Sequence, residues 1–411
     1  MIATSPLTRP RTPLTRDSAF WMVAATLGFL LFASSAPSPL YVVYQAHWHF
    51  SPITLTSVFA VYVVALLLSL VFAGSLSDRV GRRPVLLGAL LVQLGAMIIF
   101  GLAEGVGTLF AARIVQGFAT GVATGALSAT LIDLQPPHRP HLGALISAAA
   151  PTLGLAGGAL GSGLLVEYAP DPLRLVYWLL VGVFALAIAG VAAMPETVTR
   201  DGGSLRAAFR PRIGVPRAAR SAFLAVAPVL VATWALGGLY LSLGPSLAVS
   251  LLHTTSHVTG GLVIVAVTAT GALTSVLVRD HQPVHVLIGG ALMLALGIGV
   301  TLLGLNETQT VLFFAGSVLA GVGFGAGFSG AFKTIISLAP PAERASLVAA
   351  VYVLCYIGFS VPAVAAGIAV THTSLLATTN VYGSVLVVLA LSAAVATTAR
   401  HRRAARSLAA A

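Results

Sequence analysis

Charge is what this sequence has least of. Only 8% of its 411 residues are charged, against roughly 25% in an ordinary soluble domain. A soluble globule of this size cannot cover its surface with so few charges, and a disordered chain needs more polarity still. The single cysteine, Cys355, excludes an intramolecular disulfide. Lysine occurs once, at Lys333, and none of the eleven acidic residues falls in the middle of an apolar run. The chain also lacks an H-E-x-x-H zinc helix, a G-x-S-x-G elbow and a carboxylate pair inside an apolar stretch, so no enzyme activity is expected. The net charge of +11 comes without aromatic interleaving or a basic face, so nucleic acid is not an expected partner.

What the sequence has in excess is apolar length. Hydrophobic residues make up 57% of the chain and mean hydropathy is +0.97. About 20 apolar residues in a helix cross the roughly 30 Å hydrocarbon core of a bilayer. Twelve such runs are present, near 19–44, 53–76, 84–103, 107–132, 142–167, 172–194, 221–249, 257–278, 284–304, 309–337, 345–370 and 375–398. They are numbered here as spans 1 to 12. Segments such as VYVVALLLSLVFAG (61–74) do not alternate apolar and polar positions as barrel strands do. The chain reads as an all-α membrane protein with the lipid bilayer as a partner.

The arginines orient it. Arg9, Arg11 and Arg16 precede span 1; Arg79, Arg82 and Arg83 follow span 2; Arg139 follows span 4; Arg200, Arg206, Arg210, Arg212, Arg217 and Arg220 follow span 6. Arg279 follows span 8, Lys333 and Arg344 bracket the loop after span 10, and Arg400, Arg402, Arg403 and Arg406 close the chain. That places 20 of 22 basic residues on one side, with Arg174 and Arg113 as exceptions. By the positive-inside rule both termini are expected in the cytoplasm. Ser34-Ser35-Ala36 imitates a signal-peptidase site, but Pro37 follows it and removal would leave eleven spans, so span 1 is expected to be retained.

Residues 198–220 are polar, with six arginines, and read as a cytoplasmic linker between bundles at 1–197 and 221–411. The halves echo each other at offsets of 202 to 206 positions: Pro39 and Pro245, Asp78 and Asp280, Gly117 and Gly321, Gly121 and Gly325. Internal repeats of this kind mark many secondary transporters, with the substrate site between them. Glycine stripes at Gly117, Gly121 and Gly125, at Gly157 and Gly161, and at Gly321 and Gly325 predict close helix contacts.

The loop after span 2 reads Gly74-Ser-Leu-Ser-Asp78-Arg79-Val-Gly81-Arg82-Arg83. It resembles the signature loop of the major facilitator superfamily, G-x-L-x-D-R-x-G-R-[RK], at every defined position. Span 4 carries Arg113-Ile-Val-Gln116-Gly117, similar to the R-x-x-Q-G motif of the drug:proton antiporter branch, and span 6 ends in Pro195-Glu196-Thr197. The fifth-helix antiporter motif G-P-x-x-G-G is degraded to Pro151-Thr-Leu-Gly154-Leu-Ala-Gly157-Gly158. The resemblance covers essentially the whole chain and implies two pseudo-symmetric six-helix bundles, the major facilitator fold. It also implies that Gly74, Asp78, Arg79, Gly81, Arg82 and Arg83 form a conformational clasp between the bundles, and that Arg113, with Gln116 to orient it, serves proton coupling or substrate contact.

A charge in mid-span costs about 2.5–3.5 kcal/mol on insertion scales, which marks Arg113 independently of any resemblance. Its alternative is snorkelling to the outer interface. Proton carriage would fall to Asp78, Asp133 or Glu167, or act through Arg113. The histidine pairs His253/His257 and His281/His285 lie in loops or at span ends, so no metal is expected. Polar groups within apolar spans nominate a substrate cavity: Ser34, Ser38, Tyr41 and Gln45 in span 1; Thr233, Trp234 and Tyr240 in span 7; Ser317 in span 10; Tyr356 in span 11. The expected function is alternating-access export of small amphipathic compounds or drugs in exchange for protons. A sugar, amino-acid or other metabolite uptake permease is the alternative. The protein is expected to be a monomer in the plasma (inner) membrane, with a proton gradient as energy source and no cofactor.

Overall fold

The computed structural model describes residues 14–74, 76–198, 213–251, 256–340 and 343–409. Arg9, Arg11, Ser75, Arg200, Arg206, Arg210, Arg212, His253 and most of the expected linker lie outside the described residues. Among the described residues twelve helices are long and apolar enough to cross a membrane: Arg16–Trp48, Pro52–Ala73, Arg82–Gly101, Val106–Leu134, Leu142–Tyr168, Leu175–Ala193, Arg217–Ser242, His257–Leu277, Pro283–Asn306, Thr310–Ile336, Arg344–His372 and Leu375–Arg403. These are spans 1 to 12, within a few residues of the expected runs, because the apolar length a bilayer demands is written directly into the chain.

Local chemistry sets the ends. Thr15 and Ser51 accept from the backbone N–H groups of Ser18 and Thr54, capping spans 1 and 2. Pro52 and Pro283 occupy first-turn positions, where a missing N–H costs nothing. Prolines also break two spans. Span 1 divides into Arg16–Ser35 and Pro37–Trp48, and span 7 is followed after Leu243 by a short helix, Gly244–Leu251. The breaks fall at the repeat-related Pro39 and Pro245 regions of the two halves.

Large apolar side chains face outward along the helices, among them Leu186 at 75%, Leu224 at 72% and Val395 at 70% exposed. In water such a surface would aggregate; against lipid tails it is the ordinary exterior. Inside, one apolar cluster is built mainly from spans 1 to 6, with Leu239, Leu241, Ile264, Ala363 and Ala366 of spans 7, 8 and 11 packed onto it, and a second is built from spans 7 to 12, the cores of two six-helix bundles.

Glycine contacts repeat across them. A methyl at Gly117 or Gly121 of span 4 would strike span 2, at Tyr62 O (2.4 Å) or Ser69 Oγ (1.9 Å). Gly321 and Gly325 of span 10 stand in the same way against Thr270 and Gly271 of span 8. Gly125 meets nothing and does not share the contact. In span 5 the close face is Gly154 and Gly158, against Gly28 O and Phe32 O of span 1; the expected Gly157 and Gly161 touch only the Phe32 ring. Spacing alone does not select between two glycine stripes on one helix.

Contacts between the bundles gather at the end away from the chain termini. There Gly261 abuts Ala159, Gly163 abuts His257, and Gly367 abuts Thr56. Glu167 accepts a 2.7 Å hydrogen bond from the His257 backbone N–H, at the N-terminus of span 8. Nearer the middle, Phe59 of span 2 and Phe359 of span 11 have ring centroids 5.1 Å apart.

Candidate functional site

Proline chemistry builds the first part of the site. Pro37 has no N–H, so the Ala33 carbonyl loses its intrahelical donor in a place without water. Gln116 of span 4 supplies one, Nε2 to Ala33 O at 2.9 Å. Its Oε1 accepts from Arg113 Nη1 at 2.7 Å, and the same Nη1 donates to Ser34 O at 3.0 Å. Arg113 Nε and Nη2 both donate to the Tyr41 hydroxyl, at 2.8 and 2.5 Å. Three rings flank the guanidinium, Tyr62 at 5.0 Å, Tyr41 at 5.5 Å and Phe100 at 5.7 Å from Cζ to centroid.

Arg113 is 0% exposed, which removes the snorkelling alternative. None of its bonding partners is charged. A cation–π contact contributes about 2 kcal/mol when desolvated, and bonds to a charged group about 1.5–3 kcal/mol each. Together these offset the insertion cost without a carboxylate.

Tyr62, which the sequence reading passed over, completes this cluster. Its hydroxyl donates to Ser34 Oγ at 2.8 Å and its ring lies against the Arg113 guanidinium. A tyrosine in an apolar run looks the same whether it faces lipid or a buried cation, so no sequence signal marks it.

The signature loop follows span 2 after Gly74 and contains a short helix, Leu76–Val80, carrying Asp78 and Arg79. Arg82 gathers its neighbours: Nη1 donates to Ser77 Oγ (2.7 Å) and Asp78 Oδ1 (2.5 Å), and Nε to Asp133 Oδ2 (3.2 Å). Thr197 Oγ1 also donates to Asp133 Oδ2, and Arg16 donates to the Asp133 carbonyl. Glu196 caps span 3, accepting from the backbone N–H groups of Arg82 (2.9 Å) and Arg83 (3.1 Å), as a carboxylate at a helix N-terminus does. Gly81, at φ 109°, permits the approach; a methyl there would sit 2.7 Å from Glu196 Oε2. These bonds all lie within the first bundle, whereas the expected clasp runs between bundles. The physical reason is that the bundles meet at the opposite end. The capping role of Glu196 was visible in the sequence only as the Pro-Glu-Thr ending, since its partners lie over a hundred positions earlier.

The other nominated groups separate into distinct places. Ser34, Tyr41, Arg113 and Gln116 form the cluster above, and Ser38 is buried beside it with an unbonded hydroxyl. Gln45 lies apart at the end of span 1, donating to Phe50 O. Thr233 turns back onto its own helix at Val229 O. Tyr240 and Ser317 bond each other at 2.7 Å inside the second bundle. The void beside Tyr240, of about 10 Å³, admits no more than one water. Trp234 and Tyr356 meet, ring centroids 4.8 Å apart, in a cluster of half-buried aromatics. Of the repeat-related charges, Asp280 pairs only with the adjacent, exposed Arg279. Lys333 Nζ donates to the Arg279 carbonyl.

Comparison with known proteins adds to this picture. An uncharacterized MFS-type transporter of Mycobacterium tuberculosis is 36% identical over 112 residues, 26% of this chain and 19% of that protein. The class C tetracycline resistance protein of Escherichia coli is 37% identical over 108 residues, 26% of each chain. The uridine/deoxyuridine transporter of Lactococcus lactis is 31% identical over 183 residues, 44% of this chain and 37% of that one. The matches thus span between about a fifth and somewhat over a third of those relatives. Among solved structures, the human organic anion transporter MFSD10 (TETRAN) superposes with a TM-score of 0.66 at 14% identity, covering 92% of this chain and 100% of that one. A bacterial homologue of the human lysosomal transporter Spinster gives 0.73 at 12%, covering 93% and 97%. These structures share the fold. The family model described as Major Facilitator Superfamily matches residues 23–362, the stretch that holds the signature loop, the Arg113 cluster and both bundles, and the chain belongs to that superfamily.

Proposed function

We propose that this protein is a secondary active transporter that exports small amphipathic compounds in exchange for protons. Two bundles, residues 1–197 and 221–411, rock about a central site and are joined by the 198–220 linker. The observation that carries the reading is a guanidinium sealed in span 4 with uncharged partners only, on a motif shared with drug:proton antiporters. A charge kept in that setting is a functional group by default. The tetracycline resistance relative supports export. Asp78, Asp133 and Glu167 are the carboxylates available to carry the proton. The 20 basic residues on one side support a cytoplasmic location of both termini; the proposed setting is the plasma (inner) membrane, and a monomer suffices for the mechanism.

The uridine/deoxyuridine relative favours a second reading, an uptake permease of the same fold. Inside-out vesicles separate the two. Export coupled to protons accumulates a labelled compound under an imposed gradient and loses it with a protonophore. Accumulation indifferent to the gradient, or only in right-side-out vesicles, overturns the export reading.

A further inference from the structure

The aromatic groups of the second bundle differ from those of the first. Around Arg113 the rings are sealed: Tyr41, Tyr44, Phe100 and Tyr177 are at most 1% exposed. In the second bundle, Trp234 of span 7 stands among rings that are only half-buried. Its centroid lies 4.8 Å from Tyr356, 5.7 Å from Phe359, 5.9 Å from Phe328 and 6.1 Å from Tyr352. Edge-on geometry prevails, with interplanar angles of 59 to 82°.

These rings face the cleft between bundles rather than lipid. Phe59 approaches from span 2, opposite, with Tyr62 about one helical turn further along the same helix. On span 11 the lipid-exposed Ile357, Val361 and Ile368 fall on the side of the helix away from Tyr352, Tyr356 and Phe359 by the 3.6-residue repeat. Among the described residues neither the Tyr352 nor the Tyr356 hydroxyl has a protein partner, and neither is buried out of reach of water. Buried tyrosines normally satisfy that group. Together with the Trp234 ring these two hydroxyls line a socket on the cleft face.

The charge around the socket narrows what fills it. The acidic residues nearest to any span interior are Asp17, Asp133 and Glu167, each in a first or last turn. A cation entering the cleft would find ring faces but no carboxylate, and would approach the like charge of Arg113. Among the described residues the buried charges are both positive, Arg82 at the signature loop and Arg113 in mid-span, and the Arg113 guanidinium lies over the Tyr62 ring.

We propose that the ring wall around Trp234 is the substrate-binding face, and that it takes a flat conjugated molecule, uncharged or singly anionic, stacked on the indole and accepting a hydrogen bond from Tyr352 or Tyr356. This rests on the transport reading above and names its substrate class. Positively charged aromatics are disfavoured by the like charge of Arg113, and saturated rings by the loss of stacking.

Equilibrium dialysis of the full-length protein in lipid nanodiscs tests it, with radiolabelled 1-naphthol, 2-naphthoate, decalin-2-carboxylate and 1-naphthyltrimethylammonium as probes. The two flat, non-cationic probes are expected to bind saturably, and the saturated acid and the cation about tenfold or more weaker. Trp234→Leu should lose the flat probes, whereas Trp234→Phe, which keeps a ring and guards against misfolding, retains most of the binding. Tyr352→Phe combined with Tyr356→Phe should weaken 1-naphthol while leaving the protein's thermal midpoint in place. Equal binding of decalin-2-carboxylate and 2-naphthoate, preference for the cation, indifference to Trp234→Leu, or no saturable binding of any probe each overturns the proposal. Because dialysis needs no flux, ring-selective binding without transport would sink the transport reading and keep this one. Transport without ring selectivity would do the reverse.

Discussion

Ser34 and Tyr240 stand 206 positions apart, the offset of the repeat-related prolines; Arg113 and Ser317 stand 204 apart, the offset of the glycines. In the first bundle these two positions are joined by Arg113 Nη1 donating to Ser34 O, in the second by the Tyr240–Ser317 hydroxyl pair. The same bridge between the first and fourth helices of a bundle is therefore made once with a charge and once without. Holding the helices together needs no cation, since a neutral pair does it in the second bundle. Under the proposed transport function, the charge in the first bundle serves more than packing.

The sharpest way to break that comparison is Arg113→Ala. Transport is expected to fall to background while insertion is unimpaired, because the substitution removes about 2.5–3.5 kcal/mol of insertion cost. Vesicle flux alongside membrane abundance reads both, and a fully active mutant would return Arg113 to a packing role.

Next come the glycines, where the two halves should respond alike. Gly121→Ala and Gly325→Ala place a methyl 1.9 Å from Ser69 Oγ and 2.1 Å from Gly271 O. Each should destabilise by about 1–3 kcal/mol through overpacking, seen as a lowered thermal midpoint. Gly125→Ala, with open space around it, should leave the midpoint unchanged. Unequal losses at Gly121 and Gly325 would show that the packing is not symmetric in energy.

The loops should respond differently. Glu196→Ala removes the cap on span 3 and is expected to cost about 0.5–2 kcal/mol, whereas Asp280→Ala, in an exposed pair, should be silent. The smallest effect is expected from Tyr240→Phe, about 0.6 kcal/mol for one interhelical bond in a membrane. If it instead abolished transport, the neutral bridge would be functional too.

The sequence made the twelve spans plain because bilayer thickness imposes a run length that few other structures require. Arg113 stood out for a similar reason, as a charge where charge is costly. Faces were harder. Thr233 and Trp234 are adjacent, yet one bonds its own helix and the other anchors the ring wall, and apolarity all round a membrane helix erases the pattern that would tell them apart. Glu196, Asp133 and Arg82 were each visible, but their meeting depends on three chain segments brought together by the fold. Gly154 and Gly158 rather than Gly157 and Gly161 touch span 1 for the same reason.

The seam between the bundles has a mechanical consequence. Where spans 5 and 8 meet it is bare backbone on backbone, with a methyl at Gly261 lying only 2.6 Å from the Ala159 carbonyl oxygen, beside a hydrogen bond from His257 to Glu167. Such contacts act over a very short range: a gap of about 0.5–1 Å forfeits a quarter to a half of the attraction. There are few long side chains at these points to stretch and keep hold as the surfaces separate. The joint should therefore behave less like a spring than like two flat plates, with full adhesion when shut and about half of it gone within the first ångström of parting.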